Sequence, residues 1–273
     1  MTKVHNASFY AEPIFDTPGW YSLGWSAEDG GTDKVLVTLR TAKPSTYAHW
    51  PIQPSSCRPL PEKAEGAVKQ LQVSSPDASL TPVVIDLDQD ESITAAAKLV
   101  EERFGALDIL INNAGINRSP DPNATLRESY RAVFETNVFG VAVMTATFLP
   151  LLRASKYHDR RIVNVTSGLG QIGIAYSPTS EYGAKIWELP VYRSSKSAVN
   201  MITAVDAVRL EKENILAVHA APGFCRTNFG GGQGVKSAEE GARPIVRAAT
   251  EGSPEELFGK LVDDENTLVE FGW

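Results

Sequence analysis

Near the middle of the chain runs Leu107-Asp108-Ile109-Leu110-Ile111, followed directly by Asn112-Asn113-Ala114-Gly115. A short run of Leu and Ile that is closed by polar residues and Gly is typical of a strand buried on both faces of a sheet. From about residue 80 onward, such runs alternate with segments whose apolar residues recur at helical spacing. This alternation is typical of parallel strands joined by helices. We therefore expect an α/β fold, with helices on both faces of one doubly wound parallel sheet.

The same patterns predict the individual elements. Strands are expected at 82–86, 108–112, 161–166, 216–221 and 258–262, and helices at 92–104, 123–153, 192–213 and 239–251. In the helix over 123–153, Asn137 falls within the apolar stripe that faces the core. A buried amide needs hydrogen-bond partners. Asn137 is therefore either a packing residue or part of a functional network.

A candidate proton-transfer set lies further along the chain. In Tyr192-Arg193-Ser194-Ser195-Lys196, a phenol and an ammonium are four residues apart, which puts them on one face of a helix. The fixed charge of Lys196 is expected to lower the pKa of Tyr192 from about 10 toward neutrality. Ser167 offers a hydroxyl to hold a carbonyl oxygen while Tyr192 gives or takes its proton. Such a set predicts a carbonyl/alcohol oxidoreductase whose hydride comes from a cofactor. The spacing alone would also suit a tyrosine and a lysine that merely lie side by side on the surface of a helix.

Composition narrows the class of protein. The chain has 273 residues, 42% hydrophobic and 22% charged, with a net charge of −7. These values predict one globular domain and argue against a nucleic-acid surface. Two cysteines and four scattered histidines predict neither a disulfide framework nor a metal site. The N-terminal residues show neither a secretory signal nor a membrane span, so a cytoplasmic protein is expected. Whether it is a monomer or a homo-oligomer stays open.

Six motifs in matching order resemble the short-chain dehydrogenase/reductase family, over roughly residues 62 to 265. They are Asp86 after a strand, Asn112-Asn113-Ala114-Gly115, Asn137 in Thr136-Asn137-Val138-Phe139-Gly140, Thr166-Ser167-Gly168, Tyr192 with Lys196, and Pro222-Gly223-Phe224-Cys225-Arg226-Thr227. The resemblance implies a single Rossmann-like domain at 34–273, irregular at 39–61, behind an atypical N-terminal extension at 1–33. It also implies an enzyme similar to carbonyl reductases, acting on a small-molecule carbonyl or alcohol.

The resemblance implies a role for each matching residue. Tyr192 would donate the proton, Lys196 would lower its pKa and hold the nicotinamide ribose, Ser167 would position the carbonyl and Asn137 would complete a proton relay. The implied cofactor-binding residues are Asp86 and Leu87 at adenine, Asn113, Ala114 and Gly115 on the ribose side, Tyr192 and Lys196, and Pro222, Gly223 and Thr227, the last at the carboxamide. Arg58 resembles the arginine that binds a 2′-phosphate, which favours NADP while NAD remains an alternative.

Two segments depart from the family's usual pattern. Ser167 and Tyr192 are 25 positions apart, which indicates an insertion. The segment 172–190 is aromatic and similar to the enlarged segment of monomeric-type carbonyl reductases, where it would form a wall of the substrate cleft. A solvent-exposed loop is the alternative. Glycines at 230–234 are typical of a flexible substrate lid.

The largest departure is near the N-terminus. Lys34-Val35-Leu36-Val37-Thr38 resembles the family's first strand, yet Leu39-Arg40-Thr41-Ala42-Lys43-Pro44 follows where spaced glycines would let backbone amides approach pyrophosphate. Five prolines between residues 44 and 61 predict neither a long helix nor a central strand. This region is either a real divergence or a misread exon boundary or frameshift.

Loss of the glycine-rich turn leaves alternatives to a cofactor-dependent reductase open. A protein on the same scaffold that binds cofactor weakly or not at all would be a cofactor-independent cyclase or isomerase using Tyr192 as its acid, or a non-catalytic binding protein. A product that folds poorly is a third alternative.

Overall fold

The computed structural model describes residues 79–271 and four earlier strands. The described residues contain ten strands: β1 Phe9–Tyr10, β2 Gly24–Trp25, β3 Lys34–Arg40, β4 Thr46–Ile52, β5 Ser79–Pro82, β6 Ile109–Asn112, β7 Arg160–Val165, β8 Ile215–Ala220, β9 Lys260–Val262 and β10 Leu268–Glu270. The α-helices are α1 Asp90–Phe104, α2 Leu126–Phe134, α3 Gly140–Ala154, α4 Ile172–Tyr176, α5 Pro190–Leu210, α6 Ala238–Thr250 and α7 Pro254–Leu257.

Eight of these strands form one sheet in the order β10-β9-β8-β7-β6-β3-β4-β5. Strands β6, β7, β8 and β9 run parallel to one another. Their carboxyl ends therefore meet at one edge of the sheet, where the loops that follow them come together. β1 and β2 pair with each other in a separate two-stranded sheet.

Alternating residues of the central strands supply two apolar cores. In β6, Leu110 packs into a core with α1, α3 and α5, while Ile109 and Ile111 pack into a second core with α6 and α7. β7 divides its side chains in the same way, with Ile162 on the first side and Val163 on the second. Successive side chains of a strand point to opposite faces, so the sheet is covered by helices on both faces. The predicted α/β fold class is confirmed.

Most predicted elements lie within a few residues of their observed bounds, but the long helix over 123–153 is not continuous. It begins at Leu126, after a capping box in which Thr125 and Glu128 bond each other's backbone N–H. A π-helical turn at Glu135–Phe139 then separates α2 from α3, and Asn137 lies inside that turn. π-turns often occur at functional sites. The first predicted strand is also displaced, because the pairing observed in this region is at Ser79–Pro82.

The direction of β3 differs from the expectation of a wholly parallel sheet. β3 pairs with β6 antiparallel, with Val37 opposite Ile111 and Leu39 opposite Ile109. Its last residue, Arg40, therefore lies at the amino edge of β6, opposite to the edge where the motif loops gather. In a Rossmann-like sheet, the turn that binds pyrophosphate follows the carboxyl end of the first parallel strand. The end of β3 is consequently in the wrong place for that role.

The expectation that residues 44–61 hold no central strand was wrong. β4 lies between β3 and β5, antiparallel to the first and parallel to the second. The pairing of β4 with β5 ends at His49, so Pro51 has a partner on one side only, which is Val35 of β3. A proline is tolerated there because no hydrogen bond to β5 is needed from its nitrogen. Because β4 runs in the same direction as β6, it ends at the sheet edge that holds the carboxyl ends of the parallel strands. The proposed domain division at residue 33 stays a prediction.

One helical stretch in the described part of the chain, Leu126–Ala154, is long and apolar enough to cross a membrane. More than half of its most apolar window, 56%, is buried inside the fold. Such burial is usual for the core helix of an α/β domain.

Candidate active site

The predicted motif residues gather at the carboxyl edge of the parallel strands. Asn113 and Gly115 follow β6, Ser167 follows β7, and Pro222 and Gly223 follow β8. All five line a single cavity of about 580 Å³. Ligands in open α/β sheets bind at this edge, so the topology places the candidate site where such sites occur.

Helix α5 brings Tyr192 and Lys196 to the cavity. The helix begins at Pro190, whose fixed φ suits the first helical position. Both side chains are almost fully buried, with Tyr192 7% and Lys196 4% exposed. Lys196 Nζ donates a hydrogen bond of 2.8 Å to the carbonyl of Val165, at the end of β7, and lies 5.8 Å from the centre of the Tyr192 ring. The phenol and the ammonium thus face the same space.

The expected lowering of the Tyr192 pKa was wrong. Burial raises the pKa of Tyr192 to about 12, and the hydrogen bond with Ser167 offsets only part of that rise. Burial also lowers the pKa of Lys196 to about 8. Removing a charged form from water is costly, and at Tyr192 that effect exceeds the stabilisation of the phenolate by the Ser167 hydroxyl. Tyr192 is therefore held as a neutral phenol, the form that donates a proton.

Ser167 begins a 3₁₀ turn, Gly168–Gly170, and its hydroxyl accepts a hydrogen bond from Leu169 N at 3.2 Å. The turn packs directly on α5, because a Cβ built on Gly170 would lie 2.9 Å from the backbone carbonyl carbon of Lys196. Only glycine fits there. This contact holds Ser167 against the helix that carries Tyr192, and the Ser167 hydroxyl acts to lower the pKa of the Tyr192 phenol.

Asn137 is completely buried and its amide makes three hydrogen bonds. Oδ1 accepts from Ile116 N at 2.7 Å, while Nδ2 donates to Ile116 O at 2.8 Å and to Ser195 Oγ at 3.0 Å. Ser195 in turn donates to the carbonyl of Tyr192 at 2.7 Å. Asn137 therefore ties the loop after β6 to α5 through Ser195, next to Lys196 rather than at it. Its role in a proton relay stays a prediction.

The residues implied for cofactor binding divide into two groups. Asn113, Gly115, Pro222, Gly223 and Thr227 line the cavity, together with Tyr192 and Lys196. Leu87, Ala114 and Asp86 do not line it. Leu87 and Ala114 are buried in the apolar core, Asp86 follows β5 at the motif edge and accepts a bond from Asp88 N, and Arg58 lies outside the described residues.

Aromatic side chains form part of the remaining cavity wall. Trp187 stacks edge-on against Phe224 with ring centres 5.3 Å apart, and Phe229 packs likewise on Tyr192 at 5.7 Å. Trp187 belongs to the inserted segment 172–190, which lines the cavity as predicted and also contributes Tyr182 and Leu189. Arg193 holds this segment by donating to the carbonyls of Tyr182 and Trp187. The cavity therefore suits a ligand with an apolar body.

Several residues of the site were not found from the sequence. Ser195 lies inside the quoted Tyr192–Lys196 stretch, but helical spacing alone does not reveal that it bonds Asn137. The carbonyl of Val165 carries no side-chain signal at all. Asp264 and Lys236 also border the site, and their isolated charges match no motif.

The lysine and its surroundings fit one end of a nicotinamide cofactor. Of the three N–H groups of Lys196, one donates to Val165, and no other hydrogen bond from Nζ is made within the part of the chain that the structure describes. A Cβ built on Gly115 would lie 3.2 Å from Asn137 Oδ1 and 3.5 Å from Lys196 Nζ, so the backbone approaches the ammonium closely. Two N–H groups of Lys196 thus remain to donate to ribose hydroxyls, and the absence of a side chain at Gly115 leaves room for the ribose beside them.

Comparison with known proteins places these features in one family. The sequence model of the short chain dehydrogenases matches residues 52–236, beginning at the last residue of β4. The chain is 92% identical over 212 residues to the short-chain dehydrogenase anuI of Penicillium roqueforti, covering 78% of this chain and 84% of that protein. It is 32% identical over 230 residues to the short-chain dehydrogenase/reductase tropE of Talaromyces stipitatus, covering 78% and 85%.

The fold has a matching solved relative. The NADPH-bound carbonyl reductase from chicken fatty liver superposes with a TM-score of 0.63 at 27% identity, covering 76% of this chain and 82% of that chain. The resemblance seen in six sequence motifs is confirmed by these matches and by the way the fold gathers Ser167, Tyr192 and Lys196 around one cavity. The chain belongs to the short-chain dehydrogenase/reductase family of oxidoreductases.

Proposed function

We propose that this protein reduces a ketone or aldehyde to the alcohol with NADPH, reversibly, and that its substrate is a small to medium hydrophobic carbonyl compound. One observation carries the proposal: a buried, neutral Tyr192 and the hydroxyl of Ser167 line the same cavity, whose wall also carries aromatic side chains. A phenol in that state can donate a proton to a carbonyl oxygen that the serine holds. To test the proposal, the protein is mixed with NADPH and a panel of aldehydes and ketones, and the formation of alcohol is measured.

Each side chain has a defined task in this reaction. Ser167 donates to the substrate oxygen and Tyr192 transfers its proton there. A nicotinamide cofactor held by Lys196 would supply the hydride that the carbonyl carbon needs. Tyr192 is left as a buried phenolate, which is costly to hold without a counter-charge. The ammonium of Lys196, 5.8 Å from the ring centre, provides that charge. Asn137 and Ser195 fix the helix that carries both groups.

This assignment makes the rate depend on pH. The pKa of Lys196 is about 8, so its charge is present below that pH and is lost as the pH rises through 8. Tyr192 stays protonated up to about 12 and does not produce a limb in this range. We expect kcat/KM for an aldehyde to fall above pH 8. A flat profile between pH 7 and 10 would contradict the role of Lys196, and Lys98→Ala, a change at an exposed lysine, should leave the limb in place.

Arg58 is proposed to set the preference for NADPH. A bidentate arginine–phosphate contact is strong and local. We expect Arg58→Ala to weaken NADPH binding at least tenfold while changing NADH binding little, as measured by titration calorimetry. Equal losses for both cofactors would show that Arg58 does not distinguish them. Arg40→Ala is the matched control, because β3 ends at the opposite edge of the sheet.

A second candidate function, cyclisation or isomerisation without a cofactor, is favoured by one observation. The turn after β3 has no glycines and β3 ends away from the motif edge. In that case Tyr192 would still act as an acid in the same cavity. Product formation in the absence of any nicotinamide cofactor would favour this second candidate over the first.

A further inference from the structure

Tyr182, Asp264 and Lys236 form a polar cluster at the cavity, and the first two of them line its wall. Asp264 lies in the turn between β9 and β10. Its Oδ2 accepts a hydrogen bond of 2.9 Å from the Tyr182 hydroxyl and forms an ion pair of 3.1 Å with Lys236 Nζ. The Lys236 ammonium also donates to the backbone carbonyl of Asp264. Three separate segments of the chain thus converge on one carboxylate.

The cluster borders the reacting groups. A Cβ built on Gly168, the residue after Ser167, would lie 3.6 Å from the Tyr182 ring. On the other side, a Cβ built on Gly223 would lie 2.6 Å from Asp264 Cβ and Oδ2, so the Asp264 side chain packs directly on the backbone of Gly223. Both Tyr182 and Asp264 line the cavity. A ligand held by Ser167 therefore shares the cavity with this carboxylate.

The carboxylate keeps an acceptor available. Both of its side-chain contacts use Oδ2, and among the described residues no hydrogen bond reaches Oδ1. Its side chain is 18% exposed, so little water competes for that oxygen. Burial, together with the charge of Asp264, raises the pKa of Tyr182 well above its ordinary value, so this phenol remains a donor to Oδ2. An ionised carboxylate accepts hydrogen bonds roughly twice as strong as those of neutral acceptors.

We propose that Asp264 binds a hydroxyl group of the substrate, so that the cavity selects apolar carbonyl compounds that carry a hydroxyl away from the carbonyl. The carbonyl part of this statement rests on the proposed function, while the hydroxyl part rests on the cluster alone. Tyr182 and Lys236 act as positioning residues, because they hold Asp264 in place. A compound with a methyl group where the hydroxyl belongs would leave Oδ1 unpaired and dehydrated.

The test uses probes matched in size and needs no cofactor. Ortho, meta and para hydroxybenzyl alcohol, and the three methylbenzyl alcohols, are titrated into the full chain by calorimetry. We expect at least one hydroxyl isomer to bind tenfold or more tightly than its methyl counterpart. Asp264→Asn should remove that preference and leave the methyl compounds unchanged. Glu265→Gln, which removes a charge from the same lysine at an exposed position, should keep it.

The outcomes separate this inference from the proposed function. Equal binding of hydroxyl and methyl probes, no binding of either, or a preference that survives Asp264→Asn would overturn it. If the Asn variant unfolds, Asp264→Glu moves the charge by one methylene and should change the preferred isomer; an unchanged isomer order would count against the inference. Selective binding without any reduction of the corresponding hydroxybenzaldehydes by NADPH would support the carboxylate site and refute the reductase. Reduction of hydroxy- and methylbenzaldehydes with equal kcat/KM would do the reverse.

Discussion

Replacing Tyr192 with Phe is expected to lower the rate of carbonyl reduction by about 1,000-fold, within the usual range for loss of a general acid. The phenyl ring keeps the packing on Phe229 and the burial of the site, so the fold should be retained. The only other phenol that lines the cavity within the described residues is Tyr182, whose hydroxyl is bonded to Asp264. It is therefore not available to replace the lost proton donor.

The measurement is turnover on a panel of ketones and aldehydes at saturating NADPH, which separates kcat from KM. Tyr157→Phe removes a phenol from a position that packs on the apolar core and serves as the matched control. Activity of the Tyr192 variant within threefold of the unaltered chain would refute the assignment of the acid.

The second large effect concerns the cofactor. Without a glycine-rich turn, two or three charge-assisted amide bonds to pyrophosphate are lost, at roughly 1.5–3 kcal/mol each. That loss weakens binding by several hundred-fold or more. We therefore expect the natural chain to bind NADPH, but far more weakly than at low-micromolar levels. Replacing Lys34–Arg58, and thus the antiparallel β3 as well, with a parallel strand, a glycine-rich turn, a helix and a second parallel strand of the family pattern should strengthen binding by orders of magnitude, because the motifs from Asp86 to Thr227 are in place.

Calorimetric titration of both chains with NADPH tests this expectation. The same replacement with alanine at each introduced glycine is the control, since it supplies the helix without close approach of the backbone amides. Tight binding by the natural chain would mean that another phosphate site exists. A repaired chain that still binds nothing would favour a non-catalytic scaffold.

The parallel strands β6, β7 and β8 were predictable because each of them is a short apolar run between helical patterns. Leu110 and its neighbours Ile109 and Ile111 alternate between two cores, which is the property that a continuous apolar run indicates. The direction of β3 was not predictable, since an isolated run such as Lys34–Thr38 carries no signal for parallel or antiparallel pairing. Its partner in the hairpin, β4, was missed because prolines argue against a strand in general but not at its end.

The site was partly predictable for a related reason. Tyr192, Lys196 and Ser167 belong to motifs with fixed spacing, and the fold brings them together. The sign of the Tyr192 pKa shift was missed because it depends on burial, which the spacing of Tyr192 and Lys196 does not reveal. Asp264 was missed because its partners Tyr182 and Lys236 come from distant segments, and only the folded chain puts them within bonding distance.

The most direct test of the reductase assignment follows the hydride itself. NADPH deuterated at the transferable position of the nicotinamide ring is supplied at millimolar concentration with an aldehyde, and the product is examined by mass spectrometry. The account predicts an alcohol with one deuterium on the former carbonyl carbon, formed by the unaltered chain and not by Tyr192→Phe. An unlabelled product, or the same labelled product at an undiminished rate from Tyr192→Phe, would contradict it.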